Sequence, residues 1–252
     1  MDALSDVLRA VRLTGGIFFD VRASEPWVAE TPQGGSIVGR IFPGAEHLIS
    51  YHVVTSGSCW ASLIGESPMR LAEGDVVVFP HGDAHAMSSA PGMRDAPNMA
   101  LYRRPSDGQL PFTISVGDSD TDSARFVCGF LGCDARPFNP VLAALPRVIH
   151  VSDRAGGAIA AFVQFAVGDA KERRPGSECG LGHLSELMFV DVVRQYLETL
   201  PDDRTGWLAG LREPFVGRAL AALHRSPARE WTLESLAREV GLSRSALAER
   251  FT

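Results

Sequence analysis

Trp231–Thr252, WTLESLAREVGLSRSALAERFT, specifies two short helices and the corner between them. Thr232 can cap the first helix, and Glu234 sits in its first turn, where the helix dipole favours an anion. Leu233, Leu236, Ala237 and Val240 recur at spacings of three and four, so they share one face. Gly241 supplies the left-handed residue that ends a helix at low cost. Ser243 can cap a second helix, on which Leu247 and Phe251 are expected to turn back into the same core. Ala237 is small enough to let the helices cross closely, and Gly241 and Leu242 make the corner. This is the helix-turn-helix plan. The same pattern also fits an ordinary helical hairpin whose charged face, with Arg244, Ser245, Glu249 and Arg250, is simply solvated.

Upstream, Pro214 can open a helix, since the first helical position needs no N–H. Val216, Ala219, Leu220 and Leu223 give that helix an apolar stripe, which a helix-turn-helix pair needs for a core. A polar break, Pro201–Gly206, separates it from a long helix predicted over Ser177–Leu200. There Leu181, Leu184, Met188, Val192 and Tyr196 form one stripe, and Leu187, Phe189, Val193 and Leu197 widen it. So wide an arc calls for cover on two sides, by a sheet and a second subunit, or else for burial within one chain. Lys171–Gly176 reads as a linker, Ala158–Val167 as helix or strand with helix favoured, and Val141–Leu145 as a short helix stopped by Pro146.

The first half has a different texture. After a short amphipathic helix at Asp2–Arg12, short β-runs alternate with turn residues from Gly15 to about Pro111. The clearest are Ile17–Val21, Leu48–Thr55, Cys59–Ile64 and Asp75–Phe79, with Arg125–Leu131 further on. Breaks fall at Pro32–Gly35, Ser56-Gly57, Gly65–Pro68 and Glu73-Gly74. Such spacing fits an antiparallel sandwich or small barrel. Residues Ser88–Asp107, rich in Ser, Pro, Gly and Met, read as a loop or lid.

Composition sets the outer bounds. At 252 residues the chain can hold two domains and a sizeable core. Nothing is long and apolar enough to span a membrane, and the N-terminus is unlike a signal peptide, so a cytoplasmic protein is expected. The net charge of −6 argues against a wholly basic nucleic-acid binder. From Pro201 onward, however, eight Arg stand against seven Asp or Glu, leaving a near-neutral tail on an acidic body. Cys59, Cys128, Cys133 and Cys179 form no CxxC pair and read as reduced, buried small hydrophobes. No nucleophile elbow, phosphate-cradling glycine loop or paired catalytic carboxylates stand out, and no enzyme is expected.

The stretch GDVVVFPHGDAHAMS carries a specific spacing: Gly74, five residues, Pro80, one residue, Gly82, two residues, His85. It resembles the second motif of the cupins, with Asp75–Phe79 as a barrel strand and His85 directed into the lumen. Ser89 stands where that motif usually has Asn. The region of the first motif, GAEHLISYHVVTSG, holds His47 and His52 but no HxH, and Ser50 falls near the expected Glu. His81, His85 and His52 are the candidate metal set, suited to zinc or another divalent metal with a cysteine nearby. Tyr51, His52, Trp60, Phe79 and His85 are the candidate lumen residues for a small, partly apolar effector.

In order, these pieces resemble the AraC/XylS family of bacterial transcription regulators, in the branch with a cupin-type N-terminal domain. YHVVTSGSCW, LAEGDVVVFPHGDAH, Cys128-Gly129, PVLAALP and EPFVGRALAALHRSPAREWTLESLAREVGLSRSALAERF carry the likeness, which covers nearly the whole chain. The resemblance implies an α+β protein. Residues 1–170 would be a cupin-like antiparallel β-barrel (a double-stranded β-helix) that senses a small molecule or mediates dimerisation. Residues 171–205 would be a bridging and dimerisation helix, and residues 206–252 the first helix-turn-helix subdomain of a DNA-binding domain that is incomplete here. It further implies promoter DNA, a small-molecule effector and a second copy of the chain as partners. Ser243, Arg244, Ser245, Glu249 and Arg250 are then the expected DNA contacts. The alternative is a cupin metalloenzyme of isomerase or oxygenase type with a helical tail, against which the missing HxH and Glu weigh.

Overall fold

A computed structural model of the chain describes residues 13–103, 110–119, 121–134, 140–152, 175–201 and 206–251, together with 4, 5, 8, 159, 161–163, 165 and 168. The described residues fall into two compact units. One takes in those of Leu13–Asp134 and Pro146–Gln195, the other those of Met1–Arg12, Ala135–Leu145 and Tyr196–Thr252.

The first unit is built on strands β1 (Thr14–Ala23), β2 (Val28–Thr31), β3 (His47–Leu63), β4 (Met69–Ala72), β5 (Asp75–Phe79), β6 (His85–Ser88), β7 (Phe112–Val116), β8 (Ala124–Cys133) and β9 (Ile149–Ser152). A short helix, α1 (Val38–Ile41), interrupts them between β2 and β3. The sheet runs β2-β6-β3-β8-β1-β7, with β4 and β5 also on β3 and β9 on β5. Pairing is antiparallel throughout except between β1 and β7, which run parallel. Its strands curl around a core that includes Phe19, Val21, Ile37, Leu48, Val54, Phe79, Phe126 and Phe130, all buried. The α+β architecture and the strands expected at 17–21, 75–79 and 125–131 are present.

One strand corrects the sequence reading. Leu48–Thr55 and Cys59–Ile64, expected as two strands parted at Ser56-Gly57, are a single strand of 17 residues. Its first half pairs with β8 and β5, its second with β4 and β6. The corner is a bulge: Val54 lies opposite Phe126, but Ser56 lies opposite Arg125, so Thr55 is an extra residue. Gly57 takes φ +76°, and a Cβ there would meet the Ser123 carbonyl oxygen at 2.2 Å, so the corner requires glycine. An inserted residue reverses which side chains face inward. Leu48 and Val54 point into the core before the bulge, and Cys59, Ala61 and Leu63 after it.

Helix α3 (Ser177–Thr199) follows α2 (Pro140–Ala144) in the chain and fits the long helix expected over 177–200. Leu181, Ser185, Met188, Phe189, Val192, Val193 and Leu197 are buried within this one chain, whereas Leu187 is 52% exposed. Most of the wide apolar arc is therefore covered without a second subunit. Glu186 on α3 accepts a hydrogen bond from the Gly15 N–H at 3.1 Å, pinning the helix to the start of β1. The described residues of the expected segments Asp2–Arg12 and Ala158–Val167 are helical, and the remainder of both lies outside the described residues. No helix among the described residues is long and apolar enough to cross a membrane.

The second unit holds α2, α4 (Trp207–Arg212), α5 (Pro214–Arg225), α6 (Leu233–Val240) and α7 (Arg244–Phe251). Glu213 caps α5, accepting from the N–H groups of Phe215 at 2.8 Å and Val216 at 2.6 Å, with Pro214 in the first turn. Thr232 caps α6 in a box with Ser235, and Gly241 ends that helix in the left-handed conformation at φ +78°. Ser243 Oγ accepts from the Ala246 N–H at 3.2 Å at the head of α7. Ala219, Ala222, Leu236, Ala237, Val240 and Leu247 close the core between α5, α6 and α7. Two expected members lie outside it: Leu233 is 38% exposed and Phe251 46% exposed. Leu247 already fills the space between the facing helices, and Phe251, a turn further on, projects past the end of that core.

Candidate functional site

Inside the strand unit lies a cavity of about 410 Å³, at the small end of the range typical of small-molecule sites. Its apolar wall comes from alternate residues of the strands. β1 contributes Phe19 and Val21, β7 Ile114 and Val116, and β8 Phe126 and Phe130. Tyr102 and Leu101 close it from the segment after β6, and exposed Asp95, Ala96 and Asn98 mark its mouth. Phe19 meets Phe112, Tyr102 and Phe130 edge-on at centroid distances of 4.8, 5.8 and 6.4 Å, so the aromatic wall is a connected cluster. Trp27 stacks on Phe126 at 5.3 Å from behind.

The buried carboxylate of this cavity already has partners. Glu30 on β2 is buried and accepts from Arg94 Nε and, at 3.3 Å, from a second guanidinium nitrogen, and also from the Asp95 N–H at 3.0 Å. The carboxylate is thus neutralised by a forked guanidinium, the geometry best suited to hold a buried charge.

Between Phe126 and Phe130 on β8, Cys128 also faces the cavity; its Sγ lies 2.8 Å from His52 Nδ1, and His52 Nε2 lies 2.7 Å from His85 Nε2. His85 Nδ1 in turn lies 2.7 Å from the Asp83 carbonyl oxygen. That carbonyl can only accept, which fixes every proton in the chain. His85 donates from Nδ1 and so accepts at Nε2, His52 donates from Nε2 and accepts at Nδ1, and the Cys128 thiol donates to His52. All three groups are neutral in this arrangement. Burial drives the His52 pKa well below its ordinary value, with His85 adding to the effect. Burial likewise lowers His85 to about 4, against a partial counter-effect from Asp83, and raises the Cys128 thiol well above its ordinary value.

Of the expected lumen residues, His52 lines the cavity. Fully buried His85 stands behind it, stacked on Phe79 with centroids 3.7 Å apart. The other two lie elsewhere. Tyr51 points to the opposite face of β3, where its hydroxyl lies 2.7 Å from Ser185 Oγ on α3 and donates to the Gly16 carbonyl at 3.3 Å. Strand alternation forbids Tyr51 and His52 from sharing a face. Trp60 is half-buried on the outer face because the bulge at Thr55 reverses the alternation carried forward from His52. Gly129 makes room for Tyr51: a Cβ at that position would lie 2.1 Å from the Tyr51 hydroxyl oxygen.

The expected metal set of His52, His81 and His85 is not assembled. His81 lies half-buried on the turn after β5, and among the described residues no group of three or more His, Cys, Asp or Glu is placed to hold a metal ion. The facing nitrogens of His52 and His85 are hydrogen-bonded to each other instead. Missed in the sequence were the Glu30–Arg94 pair, Tyr102 and Phe19. Phe126, Cys128 and Phe130 could have been found from their period of two along β8.

Of the expected DNA contacts, Ser243, Arg244, Ser245, Glu249 and Arg250 are all exposed on α7 or at its head. Ser243 is occupied in capping the helix. Arg250 reaches Glu213, the cap of α5, and lies 4.9 Å from the Phe215 ring, so it also ties α7 to α5.

Residues 2–198 match the model of the Cupin family. An AraC-like transcription regulator of Streptomyces antibioticus is 30% identical over 258 residues, covering 100% of this chain and 78% of that protein. One of Streptomyces lividans is 29% identical over 254 residues, covering 100% and 78%. The HTH-type transcriptional regulator AlkR of Acinetobacter baylyi is 26% identical over 257 residues, covering 100% and 79%. The curled sheet, the capped helix pair and these likenesses over the whole chain agree: this chain belongs to the AraC-like transcription regulators with a cupin domain.

Proposed function

We propose that this regulator binds DNA through α7 and answers to an uncharged, mostly apolar small molecule held in the 410 Å³ cavity. The observation that carries the reading is that the buried ionisable groups of an apolar cavity are already compensated. Glu30 is paired with Arg94, and His52, His85 and Cys128 share fixed protons as neutral groups. A charged ligand would bury its charge there without a counter-charge, which is strongly unfavourable, whereas a neutral ligand gains by leaving water. Matched pairs test this directly. 1-Naphthol should raise the melting temperature in proportion to the logarithm of its concentration, and 1-naphthoate should leave it unchanged. Preferential binding of the carboxylate would overturn the reading.

On the DNA side, Arg244 is an exposed arginine in the first turn of the helix expected to enter the major groove. Arg244→Ala should weaken binding to the DNA upstream of its own coding sequence by about 1–3 kcal/mol in a gel-shift titration. An unchanged affinity would remove Arg244 from the interface. Self-association through α3 belongs to the same proposal. Leu187 is 52% exposed on that helix and Phe165 is 45% exposed, and light scattering should report a dimer; a clean monomer would exclude it. A cytoplasmic location accords with a regulator that must reach DNA.

A further inference from the structure

Cys128, His52 and His85 have the arrangement of a nucleophile, the base beside it and the group that orients the base. The thiol lies 2.8 Å from the acceptor nitrogen of His52 and lines the apolar cavity. His52 is held in the required tautomer because His85 accepts its other proton, and His85 is fixed in turn by the Asp83 carbonyl. Neither DNA binding nor reversible binding of a neutral ligand uses this chain of proton donors. From this geometry we infer that Cys128 is a covalent capture site for a neutral, electron-poor alkene conjugated to a carbonyl that enters the cavity.

The step balances without an oxidant, reductant or leaving group. A sulfur lone pair forms the C–S bond to the β-carbon of the alkene, and the π electrons move to the carbonyl oxygen as an enolate. The thiol proton passes to His52 Nδ1 while the His52 Nε2 proton passes to His85 Nε2, so the transient positive charge comes to rest on His85. That ring is the one whose Nδ1–H faces the Asp83 carbonyl, and the Asp83 charge favours its protonated form. The proton then returns along the same path and is delivered to the α-carbon. The net change is addition of S–H across the C=C bond. In the resting state burial keeps the thiol protonated and both rings neutral, so Cys128 reacts only with what the cavity has admitted and positioned.

The inference rests on the cavity being a ligand site, and two probes separate the two claims. The full chain carrying Cys179→Ser, which removes the exposed thiol, is treated with 2-cyclohexen-1-one and followed by intact mass and peptide mapping. Cyclohexanone, the saturated analogue, is titrated in parallel by thermal shift. The expected result is a single adduct on Cys128 in preference to buried Cys59 and Cys133, read in the parent chain without further substitution. Cys128→Ser should abolish it. His52→Gln should slow it by about 10²-fold, typical of losing a general base, in a chain that still unfolds cooperatively. His85→Gln, which can accept from His52 but cannot carry a second proton, should also slow it. Preferential labelling of Cys59 or Cys133, or an undiminished rate in a folded His52→Gln chain, overturns the capture. A cyclohexanone shift without any adduct overturns the capture but leaves the cavity reading standing, and failure of both probes overturns both.

Discussion

Tyr51 and His52 are neighbours on β3 and belong to different parts of the molecule's work. Tyr51 hangs from the outer face, where its hydroxyl, Ser185 Oγ and the Leu181 and Gly16 carbonyls form a buried network that holds α3 to the sheet. None of these groups changes charge near neutral pH, since burial pushes the Tyr51 hydroxyl still higher. His52 hangs from the inner face, between a thiol and a second imidazole, on the wall of a cavity. The outer network is closed, and every group in it is spent on structure. The inner chain ends at a cavity, and its protons have somewhere to go. Two successive residues of one strand therefore separate fixing the fold from lining the cavity.

Substitutions can break this contrast. Tyr51→Ala should be the most damaging, since it removes a fully buried ring packed over Gly129 and leaves the Ser185 hydroxyl with fewer partners. A loss of about 3–5 kcal/mol is expected in urea unfolding, as for other buried aromatics. A loss well under 1 kcal/mol would mean that the outer network is not what holds α3.

Acid should strike the inner chain instead. The folded pKa of His85 is depressed to about 4 from an ordinary 6.5. Between those values the unfolded chain binds a proton that the folded chain refuses. Stability is then full above pH 6.5 and falls as pH drops toward 4, by roughly 3 kcal/mol for this residue alone. His52 acts in the same direction. Unfolding titrations at stepped pH should show the slope in the parent chain and a shallower one in His85→Gln; equal slopes would show that the ring is not buried neutral.

Gly129→Ala should cost about 1–3 kcal/mol by overpacking against Tyr51. The penalty should shrink in a Tyr51→Ala background, because the two positions are in contact. Strictly additive effects would separate Gly129 from Tyr51. The smallest change is Tyr51→Phe, at about 1 kcal/mol for one hydrogen bond, with cavity binding of 1-naphthol unaltered. A change in that binding would show that the two faces of β3 are not separate.

How much of this could be read beforehand follows from the range of each interaction. The helix-turn-helix was legible because its signals are local. Thr232, Gly241, Ser243 and the stripe through Leu236, Ala237 and Val240 act within one or two turns, and the structure uses all of them. The strand of the second cupin motif, Asp75–Phe79, was legible for the same reason, since its turn residues lie beside it in sequence. The cavity was only half legible. His52 and His85 were singled out as lumen residues and as candidate metal ligands, and the structure brings them together, hydrogen-bonded to each other. Trp60 was placed inside because alternation was counted through Thr55 without knowing of the bulge.

By itself the sequence determined the strands at 17–21, 75–79 and 125–131, the long helix over 177–199, the capped starts and stops of the last helices, and that a cupin-like part precedes a helix-turn-helix. Those outcomes rest on backbone propensity, capping and periodicity, which each segment carries alone. Only the tertiary structure decided that β3 bends without breaking, that Glu30 meets Arg94 across 64 positions, and that Cys128 meets His52 across 76. Such contacts depend on strand register, and register is set by the whole sheet at once. A single bulged residue moves every later side chain to the other face, and no local pattern in β3 records that it has happened.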